Sequence, residues 1–200
     1  MAGRAVLAGG ADLEPLQDAL RAAFWDDPVT AWLLPDETSR SRRLARFFGV
    51  DLAHYLPMRT VWTTTGQAGA ALWAPPHHWR LPLGEVVRSA PALVRAGGRH
   101  APRAVRLMAE VERHHPHEPH WYLAALGTSP PHQGSGVGST LLDPVLTRCD
   151  REGTPAYLES SKESNIGFYR RHGFEVTAEI RGPGGGPVLY AMWRRPQPPS

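Results

Sequence analysis

"HQGSGVGSTLL", His132 to Leu142, sets three glycines at alternate positions directly ahead of an apolar run. Glycines at this density let a backbone approach a ligand closely, and the run that follows has helical spacing. Val137, Leu141, Leu142, Val145, Leu146 and Cys149 fall on one face of a helix from about Gly136 to Arg151. Pro144 sits inside that helix and predicts a kink.

Three phosphate-binding arrangements compete for such a loop. A P-loop needs a lysine followed by a hydroxyl residue, and no lysine is near; Lys162 is the only one in the chain. A dinucleotide turn needs Gly-x-Gly-x-x-Gly. Its third glycine position holds Ser139 or Leu141, depending on where the pattern starts. Glu159 stands 21 residues after Gly138, close to the ribose-binding spacing, but "SPPHQ" separates the glycines from the preceding strand. The third arrangement is a pyrophosphate cradle at a helix N-terminus. Gly134, Gly136 and Gly138 leave the approach open, and the N–H groups of Ser135, Val137 and Ser139 join theirs. The helix dipole adds roughly 0.3–1 kcal/mol for an anion at an exposed site.

Working outward, the chain reads as one domain of 200 residues, with 42% hydrophobic residues and no internal repeat. "RAVLA" (Arg4–Ala8) is a short strand. Asp12 caps a helix through "LEPLQDALRAAFWDD", with Leu13, Leu16, Leu20 and Phe24 on one face, and Pro28 ends or breaks it. Ser39–Leu56 is a second helix with Leu44, Phe47, Phe48 and Leu52 inward. "RTVWTTT" and "AGAALWAPP" are strands joined at Gly66, and residues 83–113 are helical with breaks near Pro91 and "GGRHAP". The strand "HWYLAALGT", the glycine-led helix, the strand "PAYLESS", the helix "SNIGFYRRH" and two final strands complete the order. This is a mixed α/β (α+β) layer fold: about seven strands, mostly antiparallel, one parallel crossover and helices on both faces.

The bulk numbers exclude several classes. One cysteine, Cys149, forbids an intramolecular disulfide and a cysteine zinc cage, and its place on the apolar helix face predicts an inert buried thiol. The net charge of +3 comes with no basic stripe interleaved with aromatics, so no nucleic-acid partner is expected. A mildly basic protein does suit a small polyanion. No apolar run reaches membrane length and no leader is read at the start, so a cytoplasmic protein without a membrane partner is expected, a monomer or homodimer. "HHPHEPH" (His114–His120) contains two prolines and lacks ligand spacing. It reads as a loop of surface histidines, one of which lines an acceptor cleft, and no metal is expected.

Gln133-x-x-Gly136-x-Gly138 after "LGTSPPH" resembles the acetyl-CoA signature of the GNAT acyltransferase superfamily, and "GFYRRHGFEV" resembles its C-terminal helix–strand signature. "EPHWYLAALGTSPPHQGSGVGS", "PAYLESS" and "NIGFYRRHGFEVTAE" further resemble the puromycin N-acetyltransferase branch. The resemblance implies a GNAT fold with a splayed central strand pair. Residues 120–195 form the acetyl-CoA-binding half, 1–119 the acceptor-shaping half and 196–200 a loose tail. It implies backbone contacts from Leu126, Gly127 and Thr128 to pantetheine. Gln133, Gly134, Ser135, Gly136, Val137, Gly138 and Ser139 would surround the pyrophosphate, with Asn165 and Phe168 completing the cofactor site. Tyr169 is implied as general acid and Glu159 as general base toward a small-molecule primary amine, of which an aminonucleoside-type antibiotic is one candidate; a protein or peptide N-terminal acetyltransferase and a CoA-binding module without turnover are the alternative readings. Acceptor contacts are expected from Trp25, Asp26, Trp32, Trp73 and Trp121, because aromatics with acids suit an amine on a planar or apolar body.

Overall fold

The structure is a computed structural model, and it describes residues 3–80, 91, 94 and 98–197. In chain order its strands and helices are β1 (Ala5–Leu7), α1 (Leu13–Ala23), α2 (Pro28–Leu33), α3 (Glu37–Tyr55), β2 (Val61–Thr64), β3 (Gly69–Ala74), α4 (Ala101–His114), β4 (Trp121–Thr128), α5 (Val137–Glu152), β5 (Ala156–Ser160), α6 (Ile166–Arg171), β6 (Glu175–Arg181) and β7 (Val188–Arg194). The strands form one seven-stranded sheet in the order β1-β2-β3-β4-β5-β7-β6. Every neighbouring pair is antiparallel except β4–β5, the parallel pair joined through α5. The expected mixed α/β architecture is therefore the observed one.

Local chemistry explains most boundaries. The α5 helix ends at Gly153, whose φ of 65° is the left-handed conformation glycine tolerates, and Gly173 after α6 has φ 83° for the same reason. Pro28 differs from expectation. It does not merely end α1; it opens α2 at the first helical position, with Asp27 as N-cap accepting from Val29 and Thr30 N–H. Asp12 does not cap α1 with its side chain. It accepts instead from Gly9 N–H at 2.8 Å and the Gln67 amide at 2.6 Å. Phe47, expected inward on α3, is 40% exposed, while Leu44, Phe48 and Leu52 are buried. The helical reading of 83–113 is met by α4 from Ala101. Its portion at 83–90, 92–93 and 95–97 lies outside the described residues, as do 198–200 of the expected tail.

The sheet is covered on both faces. On one, α5 packs Val137, Leu141, Leu142, Val145 and Cys149 against Trp73, Trp121, Leu123, Leu158 and Met192. On the other, Leu16 and Leu20 of α1 and Leu44, Phe48 and Leu52 of α3 cover Ala70, Leu72 and Ala125. A third cluster joins Leu107 of α4 to Tyr157, Ile180, Leu189 and Ala191. Strand alternation thus sends Leu158 toward α5 and Tyr157 to the opposite face. It also corrects two acceptor assignments. Trp73 and Trp121 are 0% and 3% exposed in the α5-side core, so they fill the interior and reach no acceptor.

Candidate active site

The sheet opens at its parallel pair. β4 and β5 are in register at Trp121–Ala156, Tyr122–Tyr157 and Leu123–Leu158, and pairing stops there. β4 nevertheless continues to Thr128 and β5 to Ser160. The β3–β4 register skips Ala124, a bulge that turns β4 as it leaves its neighbour. The backbone of β4 beyond Leu123 therefore faces a cleft of about 480 Å³ between the parted strands.

The glycine loop forms one wall. Gly134 and Gly136 have φ of 74° and 89°, so the chain reverses through two left-handed residues before α5 begins. Gly136 is the N-cap and offers no side chain, while the first helical carbonyl bond runs from Thr140 N–H to Gly136 O at 3.1 Å. The N–H groups of Val137, Gly138 and Ser139 therefore precede the helical ladder and are left for an anion. A Cβ on Gly138 would stand 3.1 Å from the Phe168 ring, so glycine here lets α6 close on the loop. Gln133 braces the turn by donating to the Thr128 carbonyl at 3.2 Å, and the Ser139 hydroxyl lies 2.9 Å from His172 Nε2.

The structure brings together in this cleft every residue expected at the cofactor except Ser135, whose hydroxyl donates to the His132 carbonyl at 2.6 Å. Glu159 and Tyr169 line it too. Tyr169 is 8% exposed. Burial first, and the neighbouring Asp27 charge second, raise its phenol well above the usual range, so it holds its proton. The Glu159 side chain is 4% exposed on the face away from α5. Tyr55, Tyr122 and Tyr157 surround it, and each phenol is raised first by burial and further by neighbouring negative charge that includes Glu159.

The other acceptor residues lie elsewhere. Trp25 is 37% exposed with the Arg40 guanidinium 5.0 Å from its ring, and Asp26 is an outer partner of Lys162 at 2.7 Å. Trp32 packs in the third apolar cluster, beneath Arg103 at 5.6 Å. None of these three lines the cleft. Residues missed in the sequence replace them. Asp27, 5% exposed, accepts from Ser161 Oγ while capping α2, and Phe24, Lys162 and Arg171 also line the cleft. The sequence reading took Pro28 as the end of a helix, so neither the cap that Asp27 forms on α2 nor its second oxygen in the cleft was foreseen. The histidine loop also differs from expectation. His114 and His117 are exposed, but His115 and His120 are 4% and 2% exposed and meet Nε2 to Nε2 at 3.0 Å. Among the described residues no group of three or more His, Cys, Asp or Glu is placed to hold a metal ion. Cys149 is buried, with its thiol pushed up to about 12 by desolvation. Among the described residues no helix is long and apolar enough to cross a membrane.

Comparison with known proteins agrees with this geometry. Residues 99–174 match the Acetyltransferase (GNAT) family. An uncharacterised N-acetyltransferase of Schizosaccharomyces pombe is 42% identical over 60 residues, 30% of this chain; the match spans only 24% of that protein's length. A crystal structure from Corynebacterium glutamicum, described as histone acetyltransferase HPA2 and related acetyltransferase, superposes with a TM-score of 0.74 at 28% identity, covering 100% of this chain and 99% of that one. The polyamine N-acetyltransferase of Drosophila melanogaster, which forms N-acetylagmatine, shares the fold, with a TM-score of 0.60 at 15% identity over 96% and 98% of the two chains. With its sheet parted beside a glycine-led helix, the chain is similar to GNAT acetyltransferases in sequence over residues 99–174 and in fold over its whole length.

Proposed function

We propose that the chain transfers the acetyl group of acetyl-CoA to a primary amine of a small molecule. The observation that carries this reading is the parting of β4 from β5 beyond Leu123–Leu158, with the glycine loop, Glu159 and Tyr169 all on the walls of the resulting cleft. Two features of the cleft support this donor. Unpaired N–H groups at the front of α5 suit a diphosphate, and the free edge of Leu126–Thr128 suits the amides of a pantetheine arm. Acetyl-CoA supplies an activated thioester. Glu159 takes the proton of the attacking amine, directly or through one water, and Tyr169 O–H protonates the departing sulfur. Gln133, Asn165 and Phe168 hold the loop and α6 around the donor, and Phe24 and Asp27 face the acceptor.

An aminonucleoside-type acceptor, as in antibiotic resistance, is supported by the resemblance of three segments, residues 118–139, 155–161 and 165–179, to the puromycin N-acetyltransferase branch. Thermal shift followed by a thiol-release screen tests both levels. Acetyl-CoA and CoA should raise the melting temperature by several degrees, and NAD and ATP should not. Thiol release should then appear with small primary amines, puromycin included, and not with N-terminal peptides. No shift with CoA thioesters would end the acetyltransferase reading. Release with peptides alone would move the acceptor to protein N-termini.

A further inference from the structure

Behind Glu159 stands a row of groups that the reaction above does not use. His115 and His120 come from the segment between α4 and β4. His115 Nδ1 lies 3.6 Å from Glu159 Oε1, and the two Nε2 atoms are 3.0 Å apart. His120 Nδ1 is 2.6 Å from the Glu118 carbonyl oxygen. The His115 ring stacks on Trp79, with centroids 3.6 Å apart and planes 22° from parallel, and meets Tyr122 and Tyr157 edge-on at 4.9 Å each.

Counting hydrogens along the row defines its state. A carbonyl oxygen only accepts, so His120 Nδ1 carries a hydrogen. Burial lowers the His120 pKa and keeps the ring neutral, which leaves its Nε2 bare. The hydrogen in the 3.0 Å contact must then sit on His115 Nε2. A neutral His115 in that tautomer turns a lone pair on Nδ1 toward Glu159 Oε1, an oxygen with no hydrogen-bond partner among the described residues. One proton is missing between them.

We infer that His115 and His120 are positioning residues acting through Glu159: they hold a vacant proton position behind the carboxylate, where the proton leaving the acceptor amine comes to rest. The inference rests on the acetyltransferase reading. As the amine nitrogen bonds to the acetyl carbon, its N–H electron pair stays on nitrogen and the proton passes to the Glu159–His115 pair. The C–S bond breaks with its electrons on sulfur, which takes the Tyr169 proton. Release of the held proton to water and reprotonation of Tyr169 from water close the cycle with no net proton change. The Glu159–His115 pair goes from one negative charge to none, the direction a dry site favours. The Trp79 ring beneath His115 supports the protonated imidazole.

The other titratable groups around the row are Tyr55 with Asp51 one turn earlier on α3, Tyr122 on β4, Tyr157 on β5 and His77 after β3. Arg80 lies 4.7 Å from Trp79. The three phenols stay protonated; Asp51, pushed up to about 7 by burial, is the group whose titration must be separated from that of the row.

Two measurements test the inference. Imidazole ¹⁵N NMR of the wild-type protein should show hydrogen on His120 Nδ1 and His115 Nε2 at high pH, with His115 Nδ1 gaining a proton as pH falls. That transition should move to lower pH in Glu159→Gln, and persist in Asp51→Asn. In kinetics, His115→Phe keeps a ring on Trp79 and removes both nitrogens. It should lower kcat about tenfold, displace the acidic limb of the kcat/KM profile for the amine, leave KM for acetyl-CoA within about twofold, and cause no further loss in Glu159→Gln. A hydrogen on His115 Nδ1 with Nε2 bare at high pH, or an unchanged pH profile in an active His115→Phe protein, overturns the inference alone. Absence of turnover with every amine removes the acetyltransferase reading, and this inference with it.

Discussion

At the scale of single residues, the two groups given chemical roles differ in what their surroundings do. Tyr169 is buried beside Asp27, and both influences keep its proton on. Tyr169→Phe should therefore keep acetyl-CoA affinity within about twofold and lower kcat by about 10²-fold, the lower end of what a positioned acid contributes. Steady-state thiol release together with calorimetric binding checks the split. Normal kcat in the Tyr169→Phe protein would leave Tyr169 as a core aromatic. The place of both in the cleft was legible: "YLESS" has one acid at a strand end, and "GFYRRHGF" has its tyrosine at the position the family resemblance singles out. Asp27, His115 and His120 were not, because the fate of a loop side chain depends on what faces it across the fold. Asp27 meets Ser161 across 134 residues of sequence, and no local pattern encodes that contact.

At the scale of elements, the loop before α5 joins the fold to the chemistry. Gly136 has φ 89° and sits where the unpaired N–H groups begin, so any side chain there strains the backbone by roughly 1–2 kcal/mol. Gly136→Ala should raise KM for acetyl-CoA about tenfold, with kcat at saturation within a factor of about three. Calorimetric titration with CoA is the direct check, and unchanged affinity would take the loop out of the cofactor site. The helix itself runs from Val137 to Glu152 through Pro144. Pro144 withholds one N–H from the Thr140 carbonyl, and the flanking buried residues Leu141, Leu142, Val145 and Leu146 hold both halves against the sheet. Element type and order were legible from periodicity and turn residues. The start of α2 was misread because Pro28 was taken as an ending. Proline is equally at home at a first helical position when an aspartate precedes it.

At the scale of the molecule, one ion pair ties the end of β7 to α5 and to the turn after α6. Arg194 at the end of β7, 3% exposed, forms a two-pronged pair with Asp150 of α5 at 2.7 and 2.8 Å, and donates to the His172 carbonyl after α6. Its hydrogen bonds, followed by that from Gln197 N–H, hold the Asp150 carboxyl below the usual range against the opposing effect of burial. A carboxyl lowered in the folded state contributes stability that is complete above its unfolded value, about 3.9. That stability is lost as pH falls through the lower folded value. Asp150→Ala should therefore lower unfolding free energy by about 2–3 kcal/mol at pH 7, since it strands a buried guanidinium. The gap to wild type should narrow as pH falls below about 4. Urea unfolding midpoints at a series of pH values measure both, and a gap independent of pH would assign the loss to packing.

The sequence alone determined the order of the strands and most of the helices, the glycine-led start of α5, and the acid and phenol that line the same cleft. Each of these rests on short-range physics: side-chain period, the backbone freedom of glycine and the unpaired N–H groups of a helix front. Only the tertiary structure decided which side chains meet in the cleft. Trp73 and Trp121 look like pocket aromatics by composition. They lie on strands covered on both faces, and pairing parity turns them toward α5. His115 and His120 look like surface loop residues by their prolines. The neighbouring β4 and β5 strands place Tyr122, Tyr157 and Glu159 against them, and burial there converts two ordinary histidines into a coupled row. Strand parity and burial are properties of the assembled sheet, so no window of sequence contains them.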